Sequence, residues 1–249
     1  MATGEGIDAY LLCGTPRTGS TLLCGLLRDT GVAGRPESYF RVPGEELWVD
    51  RWRLPHDETG SFDYRDYVRA AIAEGSTPNG IFAARVMWGT LDELVAKLAA
   101  AHGSTHTDLD LLTRAFGRLR FVHCWRDDTV AQAVSWARAE QTQFWQHDDV
   151  ALPDREPRFD FAQIDTLVRT IRQHNDAWRT WFTTYDIQPH SVRYEDLTTD
   201  IDGVTSGIIG FLGLDLPAGH AFVPRHRRQA DQLNRDWVSR YHALAGQHL

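Results

Sequence analysis

Residues 9–13 form a short uninterrupted apolar run, and residues 21–28, after a glycine-bearing gap, carry apolar side chains at helical intervals. A buried strand followed by a helix is the predicted pair. The pattern recurs along the chain. Residues 81–88 and 119–125 predict further strands, and the stretch running to Arg138 predicts a helix with Val130, Ala133, Val134 and Ala137 on one face. Phe161, Ile164, Val168, Ile171, Trp178 and Phe182 recur at three, four or seven residues and predict a long amphipathic helix, which Asp160 and Gln163 can start as a capping box. Its aromatic stripe reads as core, because helical spacing alone predicts burial. Residues 192–197 read as a strand end and helix cap of structural role, and 201–212 as a late helix. Strands separated by helices predict an α/β fold: a mainly parallel sheet flanked by helices, in a single domain over residues 1–249 with 1–8 as a loose start.

Composition narrows the function. A net charge of -8 disfavours a nucleic-acid binder that relies on a broad basic surface. No early apolar segment of signal type and no membrane-length apolar run is present, so a soluble cytoplasmic protein is expected. Cys13, Cys24 and Cys124 follow no ligand or disulfide spacing; buried reduced thiols are expected, with no metal site. Lysine occurs once, at Lys97, so the position of each arginine matters more than the number of arginines.

Gly14-Thr15-Pro16-Arg17-Thr18-Gly19-Ser20-Thr21 carries the sharpest chemical signal. It has the spacing of a phosphate-binding P-loop, but Ser20 stands where a nucleotide triphosphatase has its lysine. Strand, tight loop and helix come in the required order, and a helix N-terminus offers unpaired N–H groups and the positive end of its dipole to an anion. Arg17 adds a permanent, forked cation. A phosphate or sulfate is the expected occupant. A second anion position falls at Arg126, where the strand 119–125 ends, with Ser135 on the following helix able to converge with it. Asp127 as a helix cap paired with Arg126 is the plainer alternative there.

Together these stretches resemble the PAPS-dependent sulfotransferases, most closely the bacterial carbohydrate sulfotransferases of the trehalose 2-sulfotransferase kind. The resemblance covers Thr15 to Leu23, Gly31-Val32-Ala33-Gly34-Arg35-Pro36 and Tyr39-Phe40. It continues through Thr77-Pro78-Asn79-Gly80, Val86-Met87-Trp88, Gln132-Ala133-Val134-Ser135, Arg228-Gln229-Ala230-Asp231, Trp237-Val238 and Arg240-Tyr241. It implies that PAPS (3'-phosphoadenosine 5'-phosphosulfate) is the co-substrate. Thr15, Pro16, Arg17, Thr18, Gly19, Ser20 and Thr21 would hold the 5'-phosphosulfate, Arg126 and Ser135 the 3'-phosphate, and Arg228 with Gln229 would close over the nucleotide. Arg17 would also serve the chemistry, by neutralising charge on the leaving phosphate.

The base and the acceptor site are less direct. The family pattern has a glutamate where this chain has Ser38, and Glu37 lies one position earlier. Glu37 is the expected general base, although neighbours in extended backbone face opposite ways. The expected acceptor is a carbohydrate or glycolipid, with Ser38, Arg85 and Trp145 as candidate contacts. Two irregular stretches, 41–62 with Trp48 and Trp52 and 141–157 with Phe144 and Trp145, are candidates to shape its pocket. The family includes dimers, so the resemblance admits a homodimer. Two other classes fit the loop by itself: an atypical P-loop kinase, and a non-catalytic nucleotide-binding module.

Overall fold

The first strand, β1 (Ala9–Gly14), is buried at every position, which requires cover on both faces of its sheet. Its alternation divides two cores. Ala9, Leu11 and Cys13 join Tyr39, Phe40, Tyr67, Phe82 and Trp178 on one face, while Tyr10 and Leu12 join Leu23, Leu27, Ile208 and Leu212 on the other. The computed structural model describes residues 6–103, 106–143, 145, 156–223 and 232–246.

After β1 come α1 (Ser20–Asp29), α2 (Glu45–Trp52) and α3 (Tyr64–Gly75), then β2 (Phe82–Met87). Two helices, α4 (Trp88–His102) and α5 (Asp108–Phe116), lead to β3 (Leu119–Trp125); α6 (Thr129–Thr142) and α7 (Phe161–Thr184) lead to β4 (His190–Arg193). The helices α8 (Tyr194–Thr199), α9 (Ile201–Leu212) and α10 (Gln232–Ala245) follow.

The four strands form one sheet in the order β2-β1-β3-β4, with every neighbouring pair parallel. The α/β architecture expected from the alternation is therefore present. From β1 the chain passes outward to β2, whereas from β3 it passes outward to β4 on the other side. The crevice beyond the carboxyl ends of β1 and β3 is thus the point where the winding reverses, and ligands of open parallel sheets bind at such points. Gly14, the last residue of β1, has to be glycine: a Cβ there would lie 2.5 Å from the Cys124 carbonyl oxygen of β3. Trp178 on α7 donates its Nε1–H to the Gly14 carbonyl at 2.9 Å, keying the longest helix to the same strand end.

Two readings of the sequence change. The stretch 41–62 is not wholly irregular, since it contains α2. Trp48 and Trp52 stack on each other at 5.1 Å and tilt toward Tyr39 at 5.0 and 6.1 Å, so they form the margin of an aromatic core. The capping box of α7 is half made. The Asp160 carboxylate accepts from the Gln163 N–H at 3.0 Å, but the Gln163 side chain turns to Glu140 and Gln141 and stitches α7 to α6.

Cys13, Cys24 and Cys124 are buried free thiols, and burial pushes that of Cys24 up to about 12. Lys97 pairs with the buried Glu45, which also accepts from the Tyr64 hydroxyl. Among the described residues no helix is long and apolar enough to cross a membrane, and no cluster of three or more His, Cys, Asp and Glu stands in metal-binding proximity.

Candidate active site

The loop between β1 and α1 curls through two left-handed residues, Arg17 (φ 69°) and Gly19 (φ 77°). Gly19 is the N-cap of α1, and no side chain caps that helix end. Glycine is required twice over at this position: its backbone is left-handed, and a Cβ would lie 2.9 Å from the Tyr194 ring. Thr18 donates its hydroxyl to the Thr15 carbonyl at 3.0 Å, closing the loop on itself. Gln132, on the first turn of α6 and fully buried, donates its amide to Thr15 Oγ1 at 2.8 Å and to the Pro16 carbonyl at 2.6 Å. The loop is thereby clamped from β3's helix as well as from its own strand.

Arg17 links the two anion positions that the sequence singles out. Its Nε–H donates to Ser135 Oγ at 2.9 Å, and its Nη1 donates to the Trp145 carbonyl at 2.6 Å. Ser135 sits one helical turn beyond Gln132 on α6, so one helix face carries both the loop clamp and the arginine's partner. The Trp145 ring lies under a second cation, the Arg41 guanidinium, 5.9 Å from its centroid.

Arg85, near the carboxyl end of β2, ties α1 to the segment after it. It donates from Nη1 to Thr21 Oγ1 at 2.8 Å and from Nε to Ser38 Oγ at 2.9 Å. Residues 37 and 38 run beside β2, with the Arg85 N–H donating to the Glu37 carbonyl at 2.9 Å and Glu37 bridged to Ala84. Side chains alternate along that extended backbone. Ser38 faces Arg85, whereas Glu37 pairs with Arg28 at 3.0 Å, in the last turn of α1 and so at the opposite end of that helix from the anion loop.

Arg126, just past β3, has a side chain only 10% exposed. Its guanidinium carbon lies 4.4 Å from the Tyr194 ring centroid, and its Nε is 3.8 Å from Glu195 Oε1. Since Tyr194 also packs against Gly19, this one ring spans from the loop to Arg126. Asp128, not Asp127, caps α6 by accepting from the Ala131 N–H at 2.8 Å; Asp127 accepts instead from Arg193 at 2.8 Å.

The set of candidate residues divides into three hydrogen-bonded groups, Thr15 with Thr18, Arg17 with Ser135 and the Trp145 main chain, and Arg85 with Thr21 and Ser38; the Glu37 carboxylate is in none of them, being paired with Arg28. Arg228, Gln229 and Phe144 lie outside the described residues. Two residues given no site role from sequence join the set: Gln132 as loop clamp and Tyr194 as the platform under Arg126. For Gln132 a signal was available, a long polar side chain among Val130, Ala133 and Val134 on the core face of its helix. Tyr194 carries none, because its contacts come from segments far apart in the chain.

An open parallel sheet with a glycine-bearing, lysine-free loop at its switch point has the architecture of a P-loop-type fold. The chain belongs to the Stf0 sulphotransferase family, whose family model matches residues 9–244. It is 30% identical over 263 aligned positions to the trehalose 2-sulfotransferase of Mycobacterium tuberculosis, covering 97% of each chain. It is 30% identical over 255 positions to the trehalose 2-sulfotransferase of Mycolicibacterium smegmatis, covering 94% of each. Among solved structures, it resembles the sulfotransferase domain from the Synechococcus PCC 7002 olefin synthase, with a TM-score of 0.45, 16% identity and coverage of 97% of this chain and 90% of that one.

Proposed function

We propose that this sulfotransferase moves the sulfuryl group of PAPS to a hydroxyl of a carbohydrate or glycolipid. The observation that carries the reading is the Arg17 side chain, strung from the anion loop to Ser135 on α6. A donor with an anion at each end of its nucleotide, the 5'-phosphosulfate and the 3'-phosphate, suits an arginine that reaches from the loop to α6, with Arg126 set separately against Tyr194 and Glu195. The open N-terminus of α1, with the Ser20 and Thr21 hydroxyls, supports binding of the 5' end; Arg126 and Ser135 support the 3' end. The two trehalose 2-sulfotransferases to which the chain is similar suggest the carbohydrate.

A sulfuryl group carries less charge than a terminal phosphoryl, so guanidinium and backbone donors suffice where a kinase needs bridging magnesium. Arg17 neutralises charge growing on the leaving phosphate oxygen. Its bonds to Ser135 and to the Trp145 carbonyl hold the guanidinium beside the loop, where an anion would gain a charge-assisted contact. Thr21 accepts from Arg85, which leaves the Thr21 proton directed away from that bond and available to the transferring group. Ser38 is in the same position, as a hydroxyl that accepts from a guanidinium. Such a hydroxyl is a hydrogen-bond donor toward the reaction and a poor base.

Glu37 as general base is not the reading this geometry supports, because its carboxylate is engaged by Arg28 at the far end of α1. The acceptor proton then leaves late, to solvent or to a group on the acceptor. Glu37→Gln is expected to leave kcat within about threefold of wild type, since a surface ion pair of this exposure is worth at most about 1 kcal/mol. A fall of about 10²-fold or more, the size of a lost general base, would restore Glu37 to the mechanism.

The donor assignment is tested by thermal shift with PAP (the desulfated product), ADP, and ATP with magnesium. PAP should stabilise the protein most, with no metal requirement. Stabilisation by ATP with magnesium but not by PAP would favour the kinase reading. Transfer of label from PAPS to acceptors in cell extract fractions then separates an enzyme from a nucleotide sensor.

A further inference from the structure

We propose that the acceptor carries an oxyanion of its own, and that Arg41 is the residue that recognises it. The inference rests on the sulfotransferase reading above. On the donor reading the loop, Arg17, Arg126 and Ser135 serve the donor's anions, whereas Arg41 meets a different part of Trp145 from Arg17: the Trp145 carbonyl accepts from Arg17, and its ring lies 5.9 Å from the Arg41 guanidinium. Arg41 also follows Ser38 by three residues, so the chain ties it to Arg85 from the other direction.

Its backbone is fixed. Tyr39 and Phe40 are plugged into the core, the Tyr67 hydroxyl donates to the Tyr39 carbonyl, and the Gly44 N–H donates to the Arg41 carbonyl at 2.7 Å. The side chain itself is exposed. Flanking acids are turned elsewhere: Glu37 pairs with Arg28, and Glu45 pairs with Lys97. Among the described residues no carboxylate lies within ion-pair distance of Arg41 or of Arg85. In a chain of net charge -8, Arg41 and Arg85 thus face hydroxyls and a ring among the described residues.

A cation over an aromatic face, with no carboxylate among the described residues in reach, favours an anion on its open side, and a guanidinium pairs with carboxylate or phosphate through two parallel bonds. A neutral sugar would leave Arg41 unused. An acid-bearing sugar, whether phosphorylated or uronic, would use it and would be drawn in by the local field.

The test uses the full chain saturated with PAP, which fills the donor's anion sites, and calorimetric titration of methyl α-glucoside, its 6-phosphate and methyl α-glucuronide. At least one anionic sugar should bind about tenfold to a hundredfold more tightly than the neutral one, the range expected of one charge-assisted contact. Comparing the 6-phosphate with the glucuronide identifies which oxyanion is read. Arg41→Gln, at an exposed position, should remove the preference while PAP affinity holds. Equal binding of neutral and anionic sugars, absence of binding by all three, or a preference that survives in Arg41→Gln each overturns the proposal. Failure of PAP to bind in the first step would instead overturn the donor reading.

Discussion

Arg17→Ala is expected to weaken PAP binding and to lower kcat by about 10²-fold to 10³-fold, the loss typical of removing one preorganised donor to developing charge. No other side chain in the set touches the loop, α6 and the segment carrying Trp145 at once. Arg17→Lys should fall between wild type and alanine, since it keeps the charge but not the fork that lets Nε and Nη1 serve different partners. A third variant separates function from folding. Arg17 has a left-handed backbone (φ 69°), which costs a non-glycine residue roughly 1–2 kcal/mol. Arg17→Gly relieves that strain while deleting the cation, so its melting temperature should hold or rise although activity is lost. An Arg17→Ala enzyme with normal PAP affinity and rate would remove the anion-loop assignment.

Arg126→Ala is expected to weaken PAP by about tenfold to a hundredfold, yet leave adenosine 5'-phosphosulfate nearly unaffected, because that ligand lacks the 3'-phosphate. Ser135→Ala should be less selective. Its hydroxyl also accepts from Arg17 Nε, so its loss reaches the 5' end as well. The structure thus divides two residues that the sequence treats as one pair. Equal losses for both ligands in Arg126→Ala would make Arg126 a packing residue, held by Tyr194 and Glu195, with no anion of its own.

These two experiments draw on different kinds of information. The loop between β1 and α1 was legible because such a loop is local: strand, turn and helix follow one another, and the spacing of Gly14, Gly19 and Thr21 reports the backbone path directly. The parallel sheet was legible for a similar reason, as runs of buried strand length alternate with helical spacing. The helix α2 was not, because its few turns in an aromatic-rich stretch resemble a pocket lining until Trp48 and Trp52 are seen to pack on Tyr39. Arg126 was located, but its immediate surroundings were not, since Tyr194 and Glu195 come from the far side of β4.

The base illustrates the limit most clearly. Chemistry favoured the carboxylate at Glu37, and the family pattern favoured position 38; the sequence could state that conflict but not resolve it. Pairing of this segment with β2 turns Ser38 to Arg85 and Glu37 to Arg28. By itself the sequence determined the class of fold, the strand-loop-helix unit at Gly14 to Thr21 and the absence of a loop lysine, because each depends on residues adjacent in the chain. The tertiary structure decided strand order, the convergence of Arg17 with Ser135, the clamp by Gln132 and the direction of each side chain at 37 and 38. Those depend on which distant segments meet, and a one-residue change of register reverses every side chain in an extended segment.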